Sequence, residues 1–200
     1  MDYVNKYFEE LKEIIDKLDK NIIDQLAIKI LEVRDNNGRL FILGVGGSAA
    51  NASHAVNDFR KICGVECYAP SDNVAELTAR TNDEGWETVF SNWIKCSNGN
   101  EKDAILIFSV GGGNLELNVS PNIVNAIDEA KARKMKVFGI VGRDGGYTKK
   151  NGDLVLVLPT VNYERITPHS EEFQAIIWHC LSCHPSLIQN INKWETLDIN

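Results

Sequence analysis

His54 and Asp58 stand four residues apart in GVGGSAANASHAVNDF (44–59), which puts an imidazole and a carboxylate on one face of a helix. Such a pair can hold a divalent ion, move a proton, or do no more than share a surface hydrogen bond. Just ahead of it, Gly44, Gly46 and Gly47 leave the backbone bare, and Ser48 adds a hydroxyl. Backbone N–H groups at a helix start bind small anions whatever the net charge. Two further glycine clusters, SVGGG (109–113) and GRDGG (142–146), each follow an apolar run. The first loop is no dinucleotide fingerprint. Ala49 stands where the third glycine would fall, and no acidic residue ends a strand about 20 residues on.

Loops of this kind need strands that end in them. RLFILGV (39–45), DAILIFSV (103–110), KVFGIVG (136–142) and LVLVLP (154–159) read as short buried strands. Helices alternate with them over about 48–62, over 72–98, from Ser120-Pro121, and from Thr167-Pro168 to about Cys183. A hydroxyl residue followed by proline suits a helix start. Residues 2–34 read as helix, with Val4, Phe8, Leu11, Ile15, Leu18, Ile22, Leu26 and Ile30 at three- and four-residue steps and a break at Asn21. That stripe is long, and part of it is expected to pack against another subunit. The pattern predicts an α/β fold: a three-layer α/β/α sandwich around a parallel sheet, with N-terminal helices. One domain is expected over 1–200, its sheet core over about 39–185. In such sheets ligands sit beyond the carboxyl ends of the strands, where three glycine clusters converge here.

Composition narrows the partners. With 200 residues, 44% hydrophobic and 24% charged, and a mean hydropathy of −0.21, the chain reads as an ordinary soluble protein. No apolar run reaches the ~20 residues of a membrane span. The acidic, amphipathic start MDYVNKYFEELKEI is unlike a targeting segment, so a cytoplasmic location is expected. A net charge of −7 with no Lys/Arg run argues against nucleic acid. The five cysteines are expected as buried, reduced thiols. Cys180 and Cys183 have metal-ligand spacing, but Cys63–x3–Cys67 is a poor match for the second pair a structural zinc site needs.

FILGVGGSAANASHAVNDF, ELTARTNDEGWETVF, ILIFSVGGG and VFGIVGRDGG, in this order, resemble the sugar-isomerase (SIS) domain. Within it the similarity is to the phosphoheptose isomerase family, which interconverts sedoheptulose 7-phosphate and a heptose 7-phosphate. It runs to about residue 185. The resemblance implies a flavodoxin-like fold, a sugar-phosphate substrate, a divalent metal (zinc) and a homotetramer with active sites between subunits. It also implies a place in bacterial surface-glycan heptose synthesis.

The resemblance also distributes roles. His54 and Asp58 fall on the family's metal-binding histidine and glutamate, and the carboxylate here is shorter by one carbon–carbon bond, about 1.5 Å. Glu171 stands for a metal-binding glutamine. His179 stands for a second histidine that binds metal and transfers protons. Glu171 and His179 are two helical turns apart, and Glu172 is a rival on His179's face. The expected metal set is therefore His54, Asp58, Glu171 and His179, with Asp58 and His179 catalytic. Asn82 and Asp83 fall where the family contacts substrate hydroxyls, the alternative being a helix cap.

The first loop has Val45 where the family has asparagine. The Ser/Thr-rich second loop keeps Ser109, but Val110 and Gly111 follow, and LELNV (115–119) is inserted before Ser120-Pro121-Asn122. Substrate binding is then expected from Val45, Gly46, Gly47, Ser48, Ser109, Val110, Gly111, Ser120 and Glu171. GRDGG is treated as scaffold, and Trp86, Trp93 and Trp178 as core. His169, in an apparent insertion, is either a substrate contact or a surface residue at a helix start. Two rival readings stay open: a non-catalytic phosphosugar-binding module, and an isomerase of another phosphosugar.

Overall fold

The computed structural model describes residues 2–197; residue 1 and residues 198–200 of the expected domain lie outside it. Five parallel strands form one sheet: β1 (Leu40–Leu43), β2 (Cys67–Tyr68), β3 (Ala104–Ser109), β4 (Lys136–Val141) and β5 (Leu154–Val157), in the order β2-β1-β3-β4-β5. Four are the apolar runs. The fifth, β2, has only two residues on the sheet edge, too few for a periodic signal. Among the described residues eight α-helices accompany the sheet: α1 (Tyr3–Lys17), α2 (Lys20–Asp35), α3 (Gly47–Lys61), α4 (Val74–Glu84), α5 (Val89–Cys96), α6 (Pro121–Ala132), α7 (Gly146–Asn151) and α8 (Ile166–Ser182).

Side chains alternate across each strand, and the alternation builds two cores. Leu40, Ile42, Leu106, Phe108 and Ile140 face α2, α3 and α8, where Leu26, Ile30, Phe59 and Trp178 cover them. Phe41, Leu43, Ile105, Ile107 and Val141 face α5 and α6, under Phe90, Ile94, Ile123 and Ile127. Each such side chain contributes about 1.5–3 kcal/mol by leaving water. This is the expected three-layer sandwich. Because all five strands are parallel, β1, β3 and β4 end on one edge, and so do the three glycine turns.

Several local expectations are corrected. The N-terminal helices break at Leu18–Asp19, where the Asp19 carboxylate accepts from the Asn21 N–H; Asn21 itself sits in the first turn of α2. The stretch 72–98 is divided by Gly85, whose φ of 92° ends α4. Ser120 precedes α6 but is left-handed, at φ 51°, and its hydroxyl caps nothing. Thr167 and Pro168 lie inside the first turn of α8, because the 3-10 turn Tyr163–Arg165, capped by Asn162, already starts the coil. Cys63 and Cys67 are buried, whereas Cys96 and Cys180, on helices, and Cys183, at the end of α8, are exposed.

The N-terminal stripe divides between two fates. Leu26 and Ile30 of α2 are core, while Val4 and Phe8 of α1 remain more than half exposed. Among the described residues no helix is long and apolar enough to cross a membrane.

Candidate functional site

β1 enters α3 through a turn that only glycine permits at its first position. A Cβ on Gly44 would lie 2.3 Å from the Ser48 carbonyl oxygen, so strand and helix start are in direct contact. Gly46 turns the chain at φ 64°, and no side chain caps α3. The Ser48 hydroxyl is buried beside this turn without a hydrogen-bond partner, a costly condition unless something else meets it. Val45, Gly46 and Gly47 lie open on the surface of the same turn.

α3 then carries Asn51, His54 and Asp58 along the side that meets α8. Asn51 donates to the Glu171 carbonyl at 2.9 Å and to Gln174 Oε1 at 3.1 Å, clamping the two helices. The spacing 51–54–58 holds that clamp in sequence, though only the contact reveals its purpose. Beyond it, ligand atoms of His54, Asp58 and His179 all come within 4.8 Å of one another. His179 Nε2 lies 3.9 Å from Asp58 Oδ2. The Asn57 amide donates to the other Asp58 oxygen at 2.8 Å. Trp178 is buried beneath, its ring centroid 4.6 Å from that of His54.

The hydrogen bonds define what this cluster can do. His179 Nδ1 is 2.8 Å from the Ala175 carbonyl, an acceptor, so Nδ1 carries the proton and Nε2 presents a lone pair to Asp58 and His54. Two imidazoles and a carboxylate make an N2O set that suits zinc and leaves a coordination position for substrate oxygen. The donor chemistry fits a divalent ion.

Glu171 is not part of the set. Its carboxylate lies over the first loop, 2.3–2.6 Å from where a Cβ on Gly47 would be. Of the four expected ligands the structure brings His54, Asp58 and His179 together, while Glu171 sits about 12 Å, eight residues at 1.5 Å each, further back along α8. Glu172, its rival, is also elsewhere: it accepts from the Tyr7 hydroxyl of α1. Asn82 and Asp83 lie at the exposed end of α4, the amide of the first donating to the second at 2.6 Å; they cap no helix.

At the second loop, the Ser109 hydroxyl oxygen accepts from the Gly112 N–H at 3.0 Å. Here much of the glycine has a packing cause. A Cβ on Gly112 would meet the Gly145 carbonyl oxygen at 2.0 Å, and one on Gly146 would meet that of Gly111 at 2.2 Å. The second and third glycine clusters are thus pressed backbone to backbone. Val110 and Gly111 remain half-exposed above them, with Ser120 at the start of α6.

His169 is neither a surface residue nor near the cluster. It is buried between α1 and α8, with Nε2 2.9 Å from Glu10 and Nδ1 3.3 Å from Glu172. Glu10 also accepts from Arg165 at 2.8 and 2.7 Å and from Asn162 at 2.8 Å. The sequence offered no sign of Glu10, which lies one turn before Ile14, the other buried residue of α1.

With this geometry in place, the comparisons are direct. A SIS-domain family model matches residues 2–142. The phosphoheptose isomerase of Helicobacter pylori strain P12 is 30% identical over 191 residues, covering 90% of this chain and 92% of that protein. The structure of the phosphoheptose isomerase GmhA from Neisseria gonorrhoeae superposes with a TM-score of 0.78 at 27% identity, over 90% of this chain and 94% of that one. A phosphoheptose isomerase from Francisella tularensis gives 0.79 at 26% identity, over 91% and 97%. The chain belongs to the SIS-domain family and, within it, to the phosphoheptose isomerases.

Proposed function

We infer that this protein is a phosphoheptose isomerase converting sedoheptulose 7-phosphate to D-glycero-D-manno-heptose 7-phosphate through an enediol(ate). The observation that carries the reading is the His54–Asp58–His179 cluster beside the open glycine turn of β1. In the forward direction a proton leaves C1 of the ketose and returns at C2, while a hydroxyl proton passes from O1 to O2. The reaction needs a base near the carbon acid and a group that handles the oxygen protons.

Asp58 suits proton transfer because one carboxylate oxygen is steadied by Asn57 and the other faces the cluster. His179 enters through Nε2 alone, so its single lone pair serves either an ion or a proton, never both together. His54, Asp58 and His179 would hold the divalent ion, zinc by donor type, which supplies Lewis-acid polarisation of the substrate carbonyl. Glu171, set over Gly47, accepts hydroxyl hydrogens of the open-chain sugar. Asn82 and Asp83 are further hydroxyl partners. The phosphate is held by Ser109, Ser120 and the backbone around Val110 and Gly111, with Val45, Gly46, Gly47 and Ser48 lining the sugar's other end. The exposed apolar side chains of α1, Val4 and Phe8, are the seam of a homotetramer. The product would feed surface-glycan heptose synthesis.

The test is proton exchange in D2O with sedoheptulose 7-phosphate. Deuterium at C2 of a product heptose is expected. Binding of the sugar phosphate without exchange would instead support a non-catalytic phosphosugar module.

A further inference from the structure

Arg143 is an exposed cation without a side-chain partner among the described residues. It lies in the turn after β4 at φ 52°, a conformation that glycine or asparagine adopts with less strain. Among the described residues no carboxylate lies within 4.0 Å of its guanidinium, and it makes no hydrogen bond. The adjacent Asp144 carboxylate is engaged with the Gly146 N–H at 3.2 Å. Yet the side chain has a definite place. Its Cδ, at 3.4 Å, is the only heavy atom within 4 Å of where a Cβ on Gly111 would be, apart from Gly111 and its chain neighbours. Gly112 and Gly146 are hemmed in by backbone, so Gly111 is the open glycine of the pair of loops, and Arg143 runs along its open side.

The donors around that space are unspent. The N–H groups of Gly111 and Gly113 have no partner among the described residues, and the Ser109 hydroxyl, which accepts from Gly112, keeps its hydrogen to donate. Asn122 is fully buried at the start of α6; its Oδ1 accepts from the Ile123 N–H at 2.9 Å, and its NH2 has no partner. The loop is poor in hydroxyls, with Val110 and Gly111 following Ser109. It has donors and an adjoining cation, and the cleft beside Gly113 is lined by Lys150 as well as by Glu116 and Asp144.

We propose that Arg143 binds the phosphate dianion of the substrate at the second glycine loop, supplying the charge and forked donors that the hydroxyl-poor loop lacks. A guanidinium matches phosphate geometry through paired N–H groups. The proposal rests on the sugar-phosphate reading above.

Calorimetric titration of the full-length wild type, Arg143→Gly and Arg143→Lys with inorganic phosphate and with sedoheptulose 7-phosphate tests it. Glycine suits φ 52°, so Arg143→Gly keeps the turn, and its melting temperature should not fall. Its affinity for both probes should drop by about 10- to 100-fold, as for lost charged hydrogen bonds, with Arg143→Lys between. Equal phosphate affinity in wild type and Arg143→Gly overturns the proposal, as does a wild type that binds no phosphate saturably. The two readings separate cleanly. A protein that loses phosphate affinity in Arg143→Gly but shows no isomerisation keeps Arg143 and sinks the isomerase. Isomerisation with unchanged affinities sinks Arg143 alone.

Discussion

α8 carries two histidines into opposite surroundings. At its start, His169 is 5% exposed and both ring nitrogens face carboxylates; Glu10 gathers Arg165, Asn162 and His169, and Tyr7 donates to Glu172. At its end, the His179 side chain is 51% exposed, 3.9 Å from Asp58, with one nitrogen left free. The same residue types therefore make a joint in one place and a candidate site in the other. What separates them is saturation. Buried polar groups that satisfy one another hold elements together, whereas a cluster with spare lone pairs and open space is fit to receive a ligand. Arg165 and His169, by hydrogen bonding, hold the Glu10 carboxyl well below the usual range. Burial and the bond to Glu172 push the Tyr7 phenol up to about 12.

Stripping metal should break the contrast most severely. Turnover should fall to background and return on adding zinc, while the melting temperature, which the hydrophobic cores and the Glu10 joint support, changes much less. Full-rate turnover by rigorously metal-free protein would show that Asp58 and His179 act on the sugar directly. Next in size is Asp58→Asn, which removes charge and base together. At least the ~10²-fold loss in kcat/KM typical of general acid–base catalysis is expected, with little change in melting temperature. Asp58→Glu should retain activity if α3 stands at the distance the longer side chain needs; inactivity there would mean the site is built around aspartate.

Glu10→Gln probes the other half of the comparison, and its effect should be on stability first. Unfolded, Glu10 takes up a proton near its ordinary value of 4.5, whereas folded it does not. The unfolded state then binds more protons, so stability rises with pH through that window and is lost as pH falls through it. Urea melts between pH 3 and 6 should show a steep acid limb in the wild type and a flatter one, from a lower starting stability, in Glu10→Gln. Parallel curves would remove Glu10 from the joint. The smallest effect extends the rule to thiols. Burial pushes the Cys63 thiol up to about 12 and raises that of Cys67, so an alkylating agent at pH 8 should label exposed Cys96 and spare both. Mass spectrometry that finds Cys63 modified first would contradict the burial.

Several features were legible because they are local. The strands β1, β3, β4 and β5 are unbroken apolar runs, and their alternation with helices determines a parallel sheet whose ends share an edge. His54 and Asp58 share a helix face by spacing alone, and Gly46 marks a turn by its composition. β2 was not legible, since two residues carry no period. Glycine content likewise could not tell a cradle from a close contact. Gly111 is open, while Gly112 and Gly146 exist to let two backbones touch.

Side-chain chemistry in sequence states what a residue can do, and the packing of distant segments decides which partner it meets. The sequence by itself determined the α/β layering, the three strand-end turns and the His54–Asp58 pair, because helix and strand periods are properties of neighbouring residues. Only the tertiary structure decided that Glu171 lies over Gly47 rather than beside His179, and that His169 is buried against Glu10, 159 residues away. It alone laid Arg143 along Gly111. Those outcomes depend on which faces of α1, α3 and α8 come together, and burial in the shared core sets that arrangement over the whole chain at once.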